Sequence, residues 1–169
     1  MAAAILDRRL ADRGVDGRVT SAGTRPWSTG ATDEAIAVMR EKGLDIASHE
    51  NRKVTRELIE SADLVLGMTR DHVAYALARC PDAADRSFLV GELVRLGTDI
   101  GPRGASEPTS SWAERAATAR PPRRPLGRAV DQIQDPAGQP IDIYRRTAAV
   151  LDDRLSEIAA LLAGVPTLA

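Results

Sequence analysis

The residues with chemical potential fall in four places. Ser21 is followed by Gly23, Arg25, Pro26 and Trp27; His49 and Arg52 share a polar stretch; Cys80 precedes Pro81; Asp135 precedes Pro136. Small hydroxyls, one cation and one large aromatic leaving a strand end are the parts of a site wall in an α/β domain. A plain strand-to-loop turn has the same composition. Asp135-Pro136-Ala137-Gly138 is a turn by residue type, since Asp bonds its own backbone and Gly takes positive φ. Its carboxyl could donate or accept a proton. Cys80 is the one cysteine, which excludes an internal disulfide and a cysteine-built metal site.

The elements that must position these residues follow from periodicity and caps. Residues 2–13 read as a helix with Ile5, Leu6 and Leu10 on one face and Gly14 as its stop. That helix has no capping residue, and an α-amino group at its positive end is unfavourable. Residues 18–22 read as a strand that ends at Gly23. Thr32 caps a helix to about Lys42, with Gly43 beyond it; Thr55 caps a short helix; Thr69 caps another. Leu64 to Met68 is an apolar run of the kind found in a buried parallel strand. Ser87 to Val90 reads as a shorter strand, and Glu92 to Leu96 as a helical turn. The last helix is the clearest, with Tyr144, Ala148, Leu151, Leu155, Ile158 and Leu162 at alternating spacings of 4 and 3.

Residues 97–127 hold half of the ten prolines and several arginines, and read as a Pro/Arg-rich excursion. Within it, Ser111-Trp112-Ala113-Glu114 has a capping-box pattern, which predicts a short helix over 112–119. The whole, 1–169, is the size of a single domain. Strands that alternate with helices imply layers around a parallel sheet.

With 23 basic and 24 acidic side chains the formal net charge is −1, which gives no electrostatic case for nucleic acid or an anionic membrane. No apolar run reaches the roughly 18 residues of a membrane span, and the first residues lack the form of a signal peptide. A reducing cytoplasm fits the cysteine content. Oligomeric state is not encoded in any of these features.

Three stretches in order, Val19 to Trp27, Ala62 to Arg70, and Asp135 to Gly138 with Tyr144 after it, resemble the low-molecular-weight protein tyrosine phosphatases. The resemblance implies a three-layer α/β/α fold with a parallel sheet. It implies a phosphomonoesterase in which a cysteine thiolate attacks phosphorus and an Asp-Pro aspartate protonates the leaving oxygen. It implies no metal or organic cofactor, and a phosphorylated protein or small phosphomonoester as substrate. Carried over by position, Asp135 matches the general acid, Trp27 the aromatic wall beside the substrate, and Ser21 and His49 the bracing of the phosphate loop. Arg52 matches a loop position without a chemical role.

The resemblance also implies a cysteine and an arginine, five residues apart, ahead of the first helix. No such pair precedes residue 2. The first, central strand of the sheet and its loop, some 15 to 20 residues, are expected to be missing. Cys80 cannot replace that cysteine, being far along the chain. Ala137 after Asp-Pro leaves a lower wall than an aromatic would. Catalysis by these residues alone is then not expected. The alternatives are a non-catalytic relative that binds phosphorylated or other partners, and an interaction domain with no anion site.

Overall fold

A computed structural model describes residues 1–25, 30–121 and 126–164. Seven α-helices are described: α1 (Ala2–Ala11), α2 (Asp33–Glu41), α3 (Arg56–Glu60), α4 (Arg70–Leu77), α5 (Val90–Ile100), α6 (Thr109–Thr118) and α7 (Ile141–Ala163). Two strands, β1 (Val65–Gly67) and β2 (Ser87–Leu89), pair in parallel, with Leu66 opposite Phe88. Two 3-10 turns, Pro81–Arg86 and Ala129–Asp131, complete the set.

The caps act as their residue types predict. The hydroxyls of Thr32, Thr55 and Thr69 accept from the amides of Ala35, Leu58 and His72, and so satisfy first-turn donors of α2, α3 and α4. Gly14 and Gly43 take φ of +65° and +71° where α1 and α2 stop.

β1 divides the apolar interior. Leu64 and Leu66 pack into the larger cluster, with Ile5, Met39, Phe88, Trp112 and the buried face of α7. Val65 packs on the other side, with Ile59, Ala76, Cys80 and Ala83. Alternate residues of a strand point to opposite faces, so helices cover both faces of the sheet. This is the expected α/β/α layering, with α7 against α1, α2 and α5 on one side.

Three expectations need correction. Residues 18–22 form no strand; only Gly23 makes a parallel bridge, to Lys53. Among the described residues β1 is laddered on one edge, to β2. Among the described residues nothing pairs both β1 and residues 18–22, and Leu64, Val65 and Leu66 are only half-buried, whereas β2 is fully buried.

The helical turn expected over 92–96 is an 11-residue helix, α5. Gly97 directly follows the expected turn. It lies inside the helix because a Cβ there would sit 2.9 Å from the Trp112 ring and 2.8 Å from Leu161. Packing, not termination, selects glycine at this position.

Nor are the described residues within 97–127 an excursion from the core. α6 starts at Thr109 rather than after Ser111, and its Trp112 is 0 % exposed, with Nε1 donating to Gly101 O at 3.0 Å. Despite the loop-like composition around it, one indole, two buried alanines and a satisfied N–H make α6 part of the core.

Candidate functional site

Asp135 lies exposed on the connection between the 3-10 turn Ala129–Asp131 and α7. Its Oδ1 accepts the Ala137 amide at 3.0 Å, and the Gln139 amide donates to Pro136 O at 2.9 Å. Gly138 supplies φ of +76°. The expected turn is therefore an Asx-turn whose aspartate orients its own loop through Oδ1, with Oδ2 unengaged among the described residues.

The segment leading into this turn is tied to the end of β1. The Ile133 amide donates to Met68 O at 2.8 Å, and Arg70 N donates to Gln132 Oε1 at 3.0 Å. Arg70 Nη2 reaches Gly127 O at 2.9 Å. Asp135 thus emerges two residues beyond a segment bonded at the carboxyl end of β1, the side of a parallel sheet where α/β ligand sites form. Buried Asp131 anchors the same segment from below: its Oδ2 accepts Arg128 N at 2.7 Å and Arg95 Nη2 at 3.1 Å. The residue types alone did not disclose Gln132, Arg70 and Asp131 as supports. The one available signal was a second aspartate four residues before Asp135, close to Gly127.

Ser21 and His49 fall in a second group of loops. Gly23 N donates to Arg52 O at 2.8 Å, Val54 N to Gly23 O at 2.9 Å, and Arg52 Nε to Ser21 O at 2.8 Å. Arg52 therefore does have a role, in binding the 21–23 backbone. A Cβ on Gly30 would come within 2.7 Å of His49 O, so the loops at 30 and 49 touch. Ser21 and His49 are both exposed, and among the described residues no hydrogen bond joins their side chains. Ser21 falls within the strand expected over residues 18–22, and with that strand not formed it lies exposed. Trp27 lies outside the described residues.

Cys80 is 1 % exposed, packed in the smaller apolar cluster at the head of the 3-10 turn Pro81–Arg86. Five residues separate it from Arg86. The geometry is wrong for an anion. The intervening residues include Asp82 and Asp85, and Arg86 Nη1 donates to Asp82 O at 3.1 Å. A short acidic 3-10 turn offers neither converging amides nor an accessible sulfur. At the start of α1, burial lowers the pKa of the Met1 α-amino group.

Residues 1–97 match the family model described as low molecular weight phosphotyrosine protein phosphatase. The chain is 30 % identical over 161 residues to a protein-arginine-phosphatase of Geobacillus stearothermophilus, covering 93 % of this chain and 84 % of that protein. A protein-arginine-phosphatase of Bacillus subtilis (strain 168) is 29 % identical over 159 residues, with the same two coverages. Among solved structures, a YwlE mutant from Bacillus subtilis superposes with a TM-score of 0.68 at 27 % identity, over 94 % of this chain and 86 % of that one.

Proposed function

The chain belongs to the low molecular weight phosphotyrosine protein phosphatase family, and from that premise we infer that its site serves phosphorylated protein side chains or small phosphomonoesters. Asp135 is the proton donor to the leaving group. Trp27 is the wall beside the substrate, and Ser21 and His49 support the phosphate-binding loop. Relatives named for phosphotyrosine and for phosphoarginine both match, so the phosphorylated residue is one of these two classes. The observation that carries the reading is the Asx-turn of Asp135, held to the carboxyl end of β1 by the Ile133–Met68 bond.

In these 169 residues the only thiol is Cys80, buried away from Asp135's turn in sequence and wedged among apolar side chains. A covalent phosphoenzyme needs an exposed thiolate. The polypeptide by itself therefore binds phosphate-like anions or partners without turnover. It works in the cytoplasm, where a lone cysteine stays reduced. No described helix is long and apolar enough to cross a membrane.

An aryl phosphate assay on the 169-residue polypeptide tests this. No hydrolysis is expected, while vanadate raises the melting temperature. Hydrolysis abolished by Cys80→Ser would overturn the reading. If the reading frame upstream of Met1 encodes a cysteine and an arginine five residues apart, the longer polypeptide should hydrolyse the ester. Asp135→Asn in it should then lower kcat about 10²–10⁴-fold.

A further inference from the structure

Three arginines from three separate elements surround one cleft of about 340 Å³: Arg95 of α5, Arg128 ahead of the second 3-10 turn, and Arg154 of α7. Buried Asp131 organises two of them. Its Oδ2 takes the Arg128 amide at 2.7 Å and Arg95 Nη2 at 3.1 Å, which fixes the Arg95 guanidinium and the Arg128 backbone. Gly91 is required for this arrangement. A Cβ there would stand 2.8 Å from the Asp131 backbone, so α5 can lie on the turn only without one.

The other two guanidinium groups are little engaged. The Arg128 side chain has no hydrogen bond or ion pair among the described residues. Arg154 meets only Glu157, at 3.6 Å on its own helix with both side chains exposed, an arrangement worth little. An apolar surface lies beside the charge. Val94 is buried at the cleft, and Val130 is 81 % exposed, the most exposed large hydrophobic among the described residues.

Charge decides the ligand class. Three arginines face two acids, Asp131 and Asp99, within the lining, which leaves one positive charge in excess. A monoanion is matched there, and a phosphate dianion is overcharged beside Asp99. Guanidinium groups recognise planar carboxylates by paired hydrogen bonds. We propose that this cleft binds a carboxylate carried on a short apolar body, the carboxylate between Arg128 and Arg154 and the body against Val130. Two sources have that chemistry, a peptide ending in an apolar residue and a free small acid. The cleft shares Asp131 and Arg95 with the anchor of the Asp135 segment, but the Arg128 and Arg154 side chains and Val130, which would hold the ligand, have no part in the phosphatase reading.

Titration followed by amide NMR of the 169-residue protein separates the possibilities, with three probes: N-acetyl-leucine, its primary amide, and the pentapeptide Gly-Gly-Gly-Ala-Leu with a free carboxyl end. Both acids are expected to shift the amides of Thr98 and Val130, and the amide to leave them unmoved. Arg128→Ala with Arg154→Ala, both at exposed positions, should weaken binding at least about tenfold while leaving the spectrum dispersed. Tighter binding of the pentapeptide identifies a peptide terminus as the source, and equal binding identifies a small acid; either outcome upholds the site. Equal binding of the primary amide, no shift with any probe, or an unchanged Kd in the double variant would overturn it.

Discussion

Glu92 and Arg120 form an ion pair inside the protein, Oε1 to Nε 3.0 Å, with Glu92 1 % exposed. The pair is embedded in further bonds. Glu92 Oε2 accepts the Leu89 amide at 3.2 Å, while Arg120 donates to Ala84 O at 2.8 Å and to Ser87 O. The guanidinium also lies 4.1 Å from the centroid of the Phe88 ring. One cation past the end of α6 therefore holds the 3-10 turn Pro81–Arg86, β2 and the start of α5 together. Removing one partner leaves a buried charge alone. Glu92→Ala or Arg120→Met should each cost about 3–5 kcal/mol in urea unfolding. The double variant Glu92→Leu with Arg120→Met should cost clearly less than the sum. A single variant within about 1 kcal/mol of wild type would show that the pair is not a clamp.

Thr32 links two helices that are far apart in the chain. Its Oγ1 accepts the Ala35 amide at 3.3 Å and bonds the Tyr144 hydroxyl at 3.2 Å. Thr32→Ala loses the cap and orphans the phenol, at about 1–2 kcal/mol. Tyr144→Phe keeps the ring in the core and removes only the hydroxyl, at about 0.5–1.5 kcal/mol. Chemical denaturation should show the double variant costing less than the sum of the two singles. Strict additivity would mean that the hydroxyls do not interact.

Most elements were legible where the governing physics is local. Threonine caps, positive-φ glycines and the spacing along α7 each depend on a few neighbouring residues, and each element lies where those signals put it. Legibility failed where a distant partner decides. Gly97 is tolerated inside α5 because Trp112, fifteen residues on, occupies its Cβ space. Residues 18–22 have strand-forming types but no strand, because a ladder needs a neighbour on the correct edge. At the site, the Asp135 turn could be read from Asp, Pro and Gly alone. Its tether could not, since Ile133, Gln132 and Arg70 are joined by backbone and amide bonds without a residue-type signature.

Asp152 makes the acid side of stability testable. Burial is the largest single influence and raises its pKa. Hydrogen bonds from Lys42 and Arg9, with their charges, outweigh it and leave the carboxyl below its ordinary value near 3.8. The contacts are 3.0 Å from Lys42 Nζ and 2.6 Å from Arg9 Nη2. A carboxyl whose folded pKa is depressed contributes stability above its unfolded pKa and loses it as pH falls through the folded one. The melting temperature of wild type should therefore exceed that of Asp152→Asn by a constant margin from pH 7 to about 5. The margin should shrink below about 4. Partial exposure limits the effect to roughly 1 kcal/mol or less, and salt should reduce it further. A margin that grows on acidification would reverse the assignment.

Cys80 gives a direct check on the proposal that this polypeptide by itself binds without turnover. Its side chain contacts Ile59, Ala76 and Ala83 in the smaller apolar cluster and is 1 % exposed. A reagent can reach the sulfur only when the turn Pro81–Arg86 opens, because a closed cluster leaves no path for the disulfide of the reagent. Reaction with Ellman's reagent in native buffer should be at least about 100-fold slower than in 6 M guanidinium. The native rate should rise with urea in parallel with unfolding. Cys80→Ser should destabilise by about 1–3 kcal/mol, because it puts a hydroxyl among apolar atoms without a partner. Fast labelling at neutral pH, slowed by added phosphate, would instead place an accessible sulfur at an anion site. Cys80 and Arg86 would then have to be read as a functional pair.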